Sequence, residues 1–159
     1  MVPKTTFRTF QFHNTVAWKS DWHGTMSASQ HASLEVGSPP EFRGTPDVWC
    51  PEDLLIGALN TCLMLTFLAL AHRKNVEVIA YESTAHGTVD NSSGNKFRVT
   101  RVIVQPRVTL KDEVAAAAAR SVIKETKEVC MVTNSIVATV DLVPEFATRS
   151  VSLSSQKPA

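Results

Sequence analysis

One stretch of this chain governs what it can fold into. From Leu54 to Ala71 the residues are apolar almost without a break, interrupted only by Asn60, Thr61 and Thr66. Its ends carry helix signals. Pro51 suits a first helical position, because its missing N–H would have no partner there. Glu52 and Asp53 favour the positive end of the helix dipole, and His72, Arg73 and Lys74 place cations in the last turn. Asn75 is an acceptable left-handed cap. A membrane span needs about 20 apolar residues without such flanks. The segment therefore reads as a soluble helix buried on most of its sides. One small sheet gives too little cover for such a helix, whereas a tightly packed homodimer would supply it.

The rest of the chain is mostly strand-like. Phe7 to Trp18 mixes aromatics, Val and Thr. A turn at Lys19–Gly24 leads to a second strand within Thr25–Val36, ended by Gly37, Ser38, Pro39 and Pro40. Phe42 to Val48 reads as a loop or short edge strand. After the helix, Val76–Ala85, continued by Gly87–Asp90, pairs with Lys96–Val108 as a long hairpin across the turn Asn91–Asn95. In the second arm Phe97, Val99, Arg101 and Ile103 share one face, against Arg98, Thr100 and Val102. Asp112 to Val129 is a second, Ala-rich helix, Cys130 to Ser135 a short turn, and Ile136 to Val143 a last strand. The order is an α+β pattern. A chain of 159 residues fits one domain, taken as residues 1–146, with 147–159 as a flexible tail.

Composition removes several functions. A net charge of +1, with no long Lys/Arg cluster, offers no phosphate-tracking patch, so nucleic acid is not an expected partner. Met1 to Phe12 lacks the apolar core of a signal peptide. Three cysteines are too few for a disulfide scaffold, and free thiols persist in the cytosol, the expected compartment. His13, His23, His31, His72 and His86 show no ligand spacing with the cysteines, so neither a metal nor another resident cofactor is expected.

The cysteines carry the remaining chemistry. Cys62 lies in mid-helix, with Leu55, Ala58, Leu59, Leu65, Thr66 and Ala69 at helical spacing. It can be a small buried hydrophobe. It can be a thiolate only if a cation from elsewhere in the fold stabilises it, since the helix dipole fades within a turn. Glu52 precedes it by ten positions, about 15 Å along the axis and roughly 80° around it. The two cannot touch, but a long Arg side chain could bridge them. Cys130 either packs a helix end or opens a new turn whose N–H groups would favour its thiolate. Cys50 reads as a loop thiol standing in for a capping Ser.

Together these residues resemble a known pattern. Cys50-Pro51-Glu52 through Cys62-Leu63 resembles the signature of the OsmC/Ohr family: Pro-Glu, an apolar run with Ala and Gly, then Cys ten residues after the Glu. Cys130-Met131-Val132-Thr133-Asn134-Ser135-Ile136 looks like the family's second Cys motif. The Trp18 strand, Pro39-Pro40-Glu41-Phe42 and Ala85-His86-Gly87 also sit where the family has them, so the resemblance covers about residues 7–146. It implies an intertwined homodimer with antiparallel sheets wrapped around long central helices. It implies thiol-dependent reduction of organic hydroperoxides, with Cys62 as the peroxidatic thiol, Cys130 as the resolving thiol and Glu52 orienting an activating Arg. An external dithiol, such as a lipoyl protein or small thiol, would reduce the disulfide. Where many members carry that Arg after the first strand, this chain has Trp22-His23-Gly24. Arg43 lies two positions from the family's other Arg site, and a strand there would point it to the same side. The alternative is a non-enzymatic scaffold of the same fold that binds a small apolar ligand or partner.

Overall fold

The structure, a computed structural model, describes residues 8–92 and 94–149. By its internal contacts the chain divides into two compact units, Met1–Asp53 and Leu54–Ala159. Most of the expected tail lies outside the described residues.

The first unit is a three-stranded antiparallel sheet in the order β1 (Thr15–Ser20), β2 (His23–Ser27), β3 (Leu34–Gly37). The first strand starts later than expected. The second expected strand is broken in two, because Gln30 takes a left-handed conformation (φ 65°) and turns the chain back. A 3-10 turn, Pro40–Phe42, follows in place of a further extended segment. Gly44 closes this region. Its N–H donates to Pro39 O, and a Cβ there would lie 1.6 Å from Ser38 O, so only glycine fits. Every residue of β1 is exposed, Val16 and Trp18 included.

The second unit is built around α1 (Pro51–Arg73), β4 (Val78–Asp90), β5 (Arg98–Leu110), α2 (Glu113–Val129), β6 (Thr139–Leu142) and β7 (Glu145–Thr148). The hairpin β4–β5 is antiparallel, while β6 and β7 both run parallel to β5. The sheet is therefore mixed, and the α+β class holds. β6 is shorter than the expected last strand, and Glu145–Thr148 forms a strand where a turn to polar tail was expected. Pro106, which has no N–H to donate, falls between the part of β5 paired with β6 and the part paired with β7.

The buried face of β5 also differs from expectation. Val102, Val104, Pro106, Val108 and Leu110 point inward, and Phe97 is exposed. The reason is a bulge. Thr88 pairs with Arg101 and Val89 with Val99, so Thr100 is an extra residue that switches which face later side chains occupy.

Two core clusters share these inward residues. Phe67, Leu70 and Ala71 of α1 pack with Val108 and Leu110 of β5 and with Ala116, Ala119, Val122 and Ile123 of α2. Leu59 and Leu63 pack with Val102, Val104, Val140 and Cys130. The buried stripe of α1 is thus only one of its sides. Leu55 and Leu65, on the adjoining side, are 39% and 57% exposed. By length and composition α1 could cross a membrane. In this fold its Leu59–Ala71 stripe lies in the core. At the other helix, Asp112 caps α2 by accepting from the Ala115 N–H at 2.9 Å.

Phe67 is fully buried at the centre of the larger cluster. Phe67→Ala should therefore cost about 3–5 kcal/mol in denaturant unfolding. Asp112→Ala should cost about 1 kcal/mol through the lost cap.

Candidate active site

Two cysteines 68 residues apart meet inside the second unit. The Cys130 thiol donates to Cys62 Sγ at 3.2 Å. Both are free thiols. Cys62 lies in α1 beside the Leu59–Leu63 stripe and is half-buried, while Cys130 is fully buried in the smaller core cluster.

The chain holds Cys130 there by ending α2 sharply. Cys130 is extended (φ −64°, ψ 118°) and its N–H closes the helix onto Thr126 O at 3.0 Å. The following turn, through the 3-10 segment Thr133–Ser135, is braced at several points. The Asn134 side chain donates to Glu128 O (2.9 Å), satisfying a terminal carbonyl of α2. The Ser135 hydroxyl donates to Met131 O (2.8 Å), and the Asn134 N–H donates to Cys130 O (3.1 Å).

These contacts divide the two thiols electrostatically. Burial raises the Cys62 thiol, but the Val132 N–H, the Cys130 thiol, the Thr66 hydroxyl and the Met131 N–H together hold it below the ordinary thiol value. Burial pushes Cys130 up. Thr133, through its hydroxyl and N–H, opposes that, and neighbouring Cys62 adds to it. Thr133 Oγ1 is itself buried and makes no hydrogen bond of ordinary geometry among the described residues. The N–H groups of the turn thus favour the thiolate of Cys62, and Cys130 itself stays protonated longer. At Cys130 the Thr133 N–H favours the thiolate as expected, but burial outweighs it, so the thiol is raised rather than activated.

The other site candidates lie as follows. Glu52 stands in the first turn of α1, and its Oε2 is buried with no hydrogen-bond partner among the described residues. Arg43 ends the 3-10 turn in a left-handed conformation (φ 68°), so the strand geometry invoked to aim it is not present. It is exposed and forms no ion pair among the described residues. Cys50 is buried, and its Sγ accepts from the Asp53 N–H at 3.3 Å, a cap for α1. Burial chiefly raises its thiol.

Sequence reasoning missed Thr66, Met131, Val132 and Thr133 as groups acting on the thiols. Thr66, four residues after Cys62, was within reach of helical spacing. The backbone N–H groups of Met131 and Val132 carry no side-chain signal. A largely apolar cavity of about 280 Å³ adjoins the N-terminal half of α1, lined by Leu55, Ile56, Leu59, Val99, Val102 and Ile136 with Arg98 and Ser135, and by neither cysteine. Among the described residues no cluster of His, Cys, Asp or Glu could hold a metal ion.

Comparison with known proteins places this arrangement. The family model described as OsmC-like protein matches residues 44–145. The uncharacterized protein YmaD of Bacillus subtilis is 25% identical over 139 residues, covering 82% of this chain and 92% of that protein. An OsmC-like protein of unknown function from Vibrio cholerae superposes with a TM-score of 0.76 at 21% identity, covering 87% of this chain and 99% of that one. A Legionella pneumophila structure named as an organic hydroperoxide resistance protein superposes with a TM-score of 0.70 at 15% identity, covering 89% and 99%. One of the same name from Elizabethkingia anophelis gives 0.70 at 14%, covering 91% and 100%.

The division of the thiols has a direct readout. Alkylation of Cys62 by iodoacetamide should rise with pH through a midpoint below that of an unperturbed thiol, about 8.5. Cys130 should be modified later and at higher pH. Thr66→Val should move the Cys62 midpoint upward, as followed by peptide mass spectrometry.

Proposed function

The chain belongs to the OsmC-like family, and from that premise we propose that it is a thiol-dependent peroxidase reducing organic hydroperoxides to alcohols. The observation that carries the reading is the 3.2 Å approach of Cys62 and Cys130. At that separation a covalent bond needs only a small movement of the sulfurs, since a disulfide spans about 2.05 Å.

The steps balance. The Cys62 thiolate attacks the distal oxygen of ROOH and the O–O bond breaks. The departing alkoxide takes a proton and leaves as ROH, and Cys62 becomes a sulfenic acid. The Cys130 thiol then attacks the sulfenic sulfur, the two sulfurs bond and water leaves. An external dithiol, a lipoyl protein or a small thiol, returns both cysteines to thiols and is itself oxidised to a disulfide. A cytosolic setting supplies such reductants and suits free thiols.

The different environments of the two thiols fit their roles. Cys62 is the more readily ionised and the more accessible, as an attacking group should be. Cys130, buried and protonated, survives until the sulfenic acid forms beside it. The apolar cavity next to α1 would receive an alkyl group rather than a second polar oxygen. Glu52 has a buried oxygen lacking a hydrogen-bond partner among the described residues, which supports the reading that it receives a guanidinium, and we assign Arg43 that role in the assembled protein. Among the described residues of one chain the two form no ion pair.

The assembled protein is proposed as a homodimer. Leu55, Ala58, Cys62, Leu65 and Ala69 recur at intervals of three and four along α1, and Leu55 and Leu65 stand exposed. A second copy would cover them. Leu65→Glu should sediment as a monomer beside a dimeric parent.

A second reading, a non-enzymatic scaffold that binds a small apolar ligand, draws on the same 280 Å³ cavity. Turnover separates the two. With cumene hydroperoxide and a dithiol, the parent should consume peroxide catalytically. Cys62→Ser should lose about 10⁴-fold or more, as expected when a covalent nucleophile is removed. Cys130→Ser should stall after one turnover as a sulfenic acid trapped by dimedone. A parent that consumes no peroxide would leave the scaffold reading in place.

A further inference from the structure

A second cavity lies within the second unit and shares no lining residue with the cavity beside Leu55 and Leu59 of α1. It has a volume of about 660 Å³. This volume falls in the range of small-molecule sites, and the cavity is an open groove. Its floor is apolar, with Ile123 of α2 and Leu142, Pro144 and Phe146 from the β6–β7 segment. Its rim is cationic, formed by Arg101 of β5 and Arg120, Lys124 and Lys127 of α2.

The charge arrangement is not that of an ordinary solvated helix face. Arg120, Lys124 and Lys127 stand at i, i+4 and i+7, so they share one side of α2 and repel one another. The carboxylates of the same helix do not neutralise them. Glu125 pairs with Lys74 instead. Lys124 makes no ion pair with Glu128, four residues on, and neither Lys124 nor Lys127 has a partner among the described residues. The one carboxylate in the lining, Asp141, is taken by Arg101 at 2.6 Å. Four cations against one carboxylate leave a local surplus of three, in a chain whose net charge is +1. A concave surface lined by one sign of charge concentrates ions of the other.

One cation is also held in place. The Arg120 guanidinium lies over the Phe146 ring, 5.2 Å from its centroid. That stacking spares part of the entropy a free Arg would lose on meeting an anion. Phe146 at the same time offers a flat apolar surface beside the charge.

We propose that this groove binds a small organic anion. An aromatic or aliphatic body lies on Ile123, Leu142 and Phe146, and a phosphate or carboxylate meets Arg120, Lys124 and Lys127. Neither part alone suffices. A neutral body would leave the cations unpaired, and a bare anion would leave the apolar floor wet. The inference is independent of the peroxidase reading, since it uses neither cysteine.

Calorimetric titration tests it with three probes: naphthyl phosphate, naphthol and inorganic phosphate. Naphthyl phosphate should bind saturably, once per chain, and more weakly as salt rises. Naphthol and inorganic phosphate should each bind about tenfold more weakly or worse. The double variant Lys124→Glu/Lys127→Glu should lose about tenfold or more in affinity for naphthyl phosphate. Lys19→Glu/Lys96→Glu, the same charge change elsewhere, should not. If charge reversal impairs folding, Lys124→Gln/Lys127→Gln serves in its place. No saturable binding of naphthyl phosphate would overturn the proposal. So would equal affinity for inorganic phosphate or naphthol, or affinity untouched by the groove variants.

Discussion

The structure depends on how α1 spends its apolar surface. The Leu59–Leu63–Phe67–Leu70 stripe packs on the inward side chains of β5, and that contact joins both core clusters of the second unit. It fixes the height and rotation of the helix, and with them the position of Cys62. The adjoining side of α1 remains open in a single chain. Cys62 lies between the two sides. It is therefore close enough to the core to touch Cys130 and open enough to be reached.

The second constraint is the end of α2. Its outer face is polar and its inner face supplies Ala116, Ala119, Val122 and Ile123 to the core. The helix stops at Cys130, and the braced turn after it directs the Met131 and Val132 N–H groups toward Cys62. Backbone amides are weaker than a guanidinium as thiolate stabilisers, yet they are pre-oriented and need no reorganisation. The contacts that favour a Cys62 thiolate in this structure thus come from the backbone together with the Cys130 thiol and the Thr66 hydroxyl.

Much of this was legible in the sequence. The limits of α1, the long hairpin and the presence of α2 follow from apolar periodicity and end signals. The pairing of Cys62 with Cys130 came from the resemblance to the OsmC/Ohr motifs, because periodicity and spacing alone leave Cys62 a small hydrophobe. Other features were hidden for definite reasons. The bulge at Thr100 reverses the face of β5, and one inserted residue carries no compositional mark. Gln30 in the left-handed region split a strand that reads as continuous. Arg43 was read as part of an extended segment, whereas Pro39 and Pro40 favour a tight turn that ends with Arg43 at positive φ. The amides of Met131 and Val132 act without side chains, so no residue type announces them.

The central claim is that Cys62 and Cys130 form one redox unit, with Cys50 outside it as a helix cap. Thiol counting with disulfide mapping tests this most directly. Treated with one equivalent of cumene hydroperoxide, the reduced protein should lose two of its three thiols. Peptide mass spectrometry should find a single Cys62–Cys130 linkage, with Cys50 still free. Retention of all three thiols, or a disulfide that includes Cys50, would contradict the account.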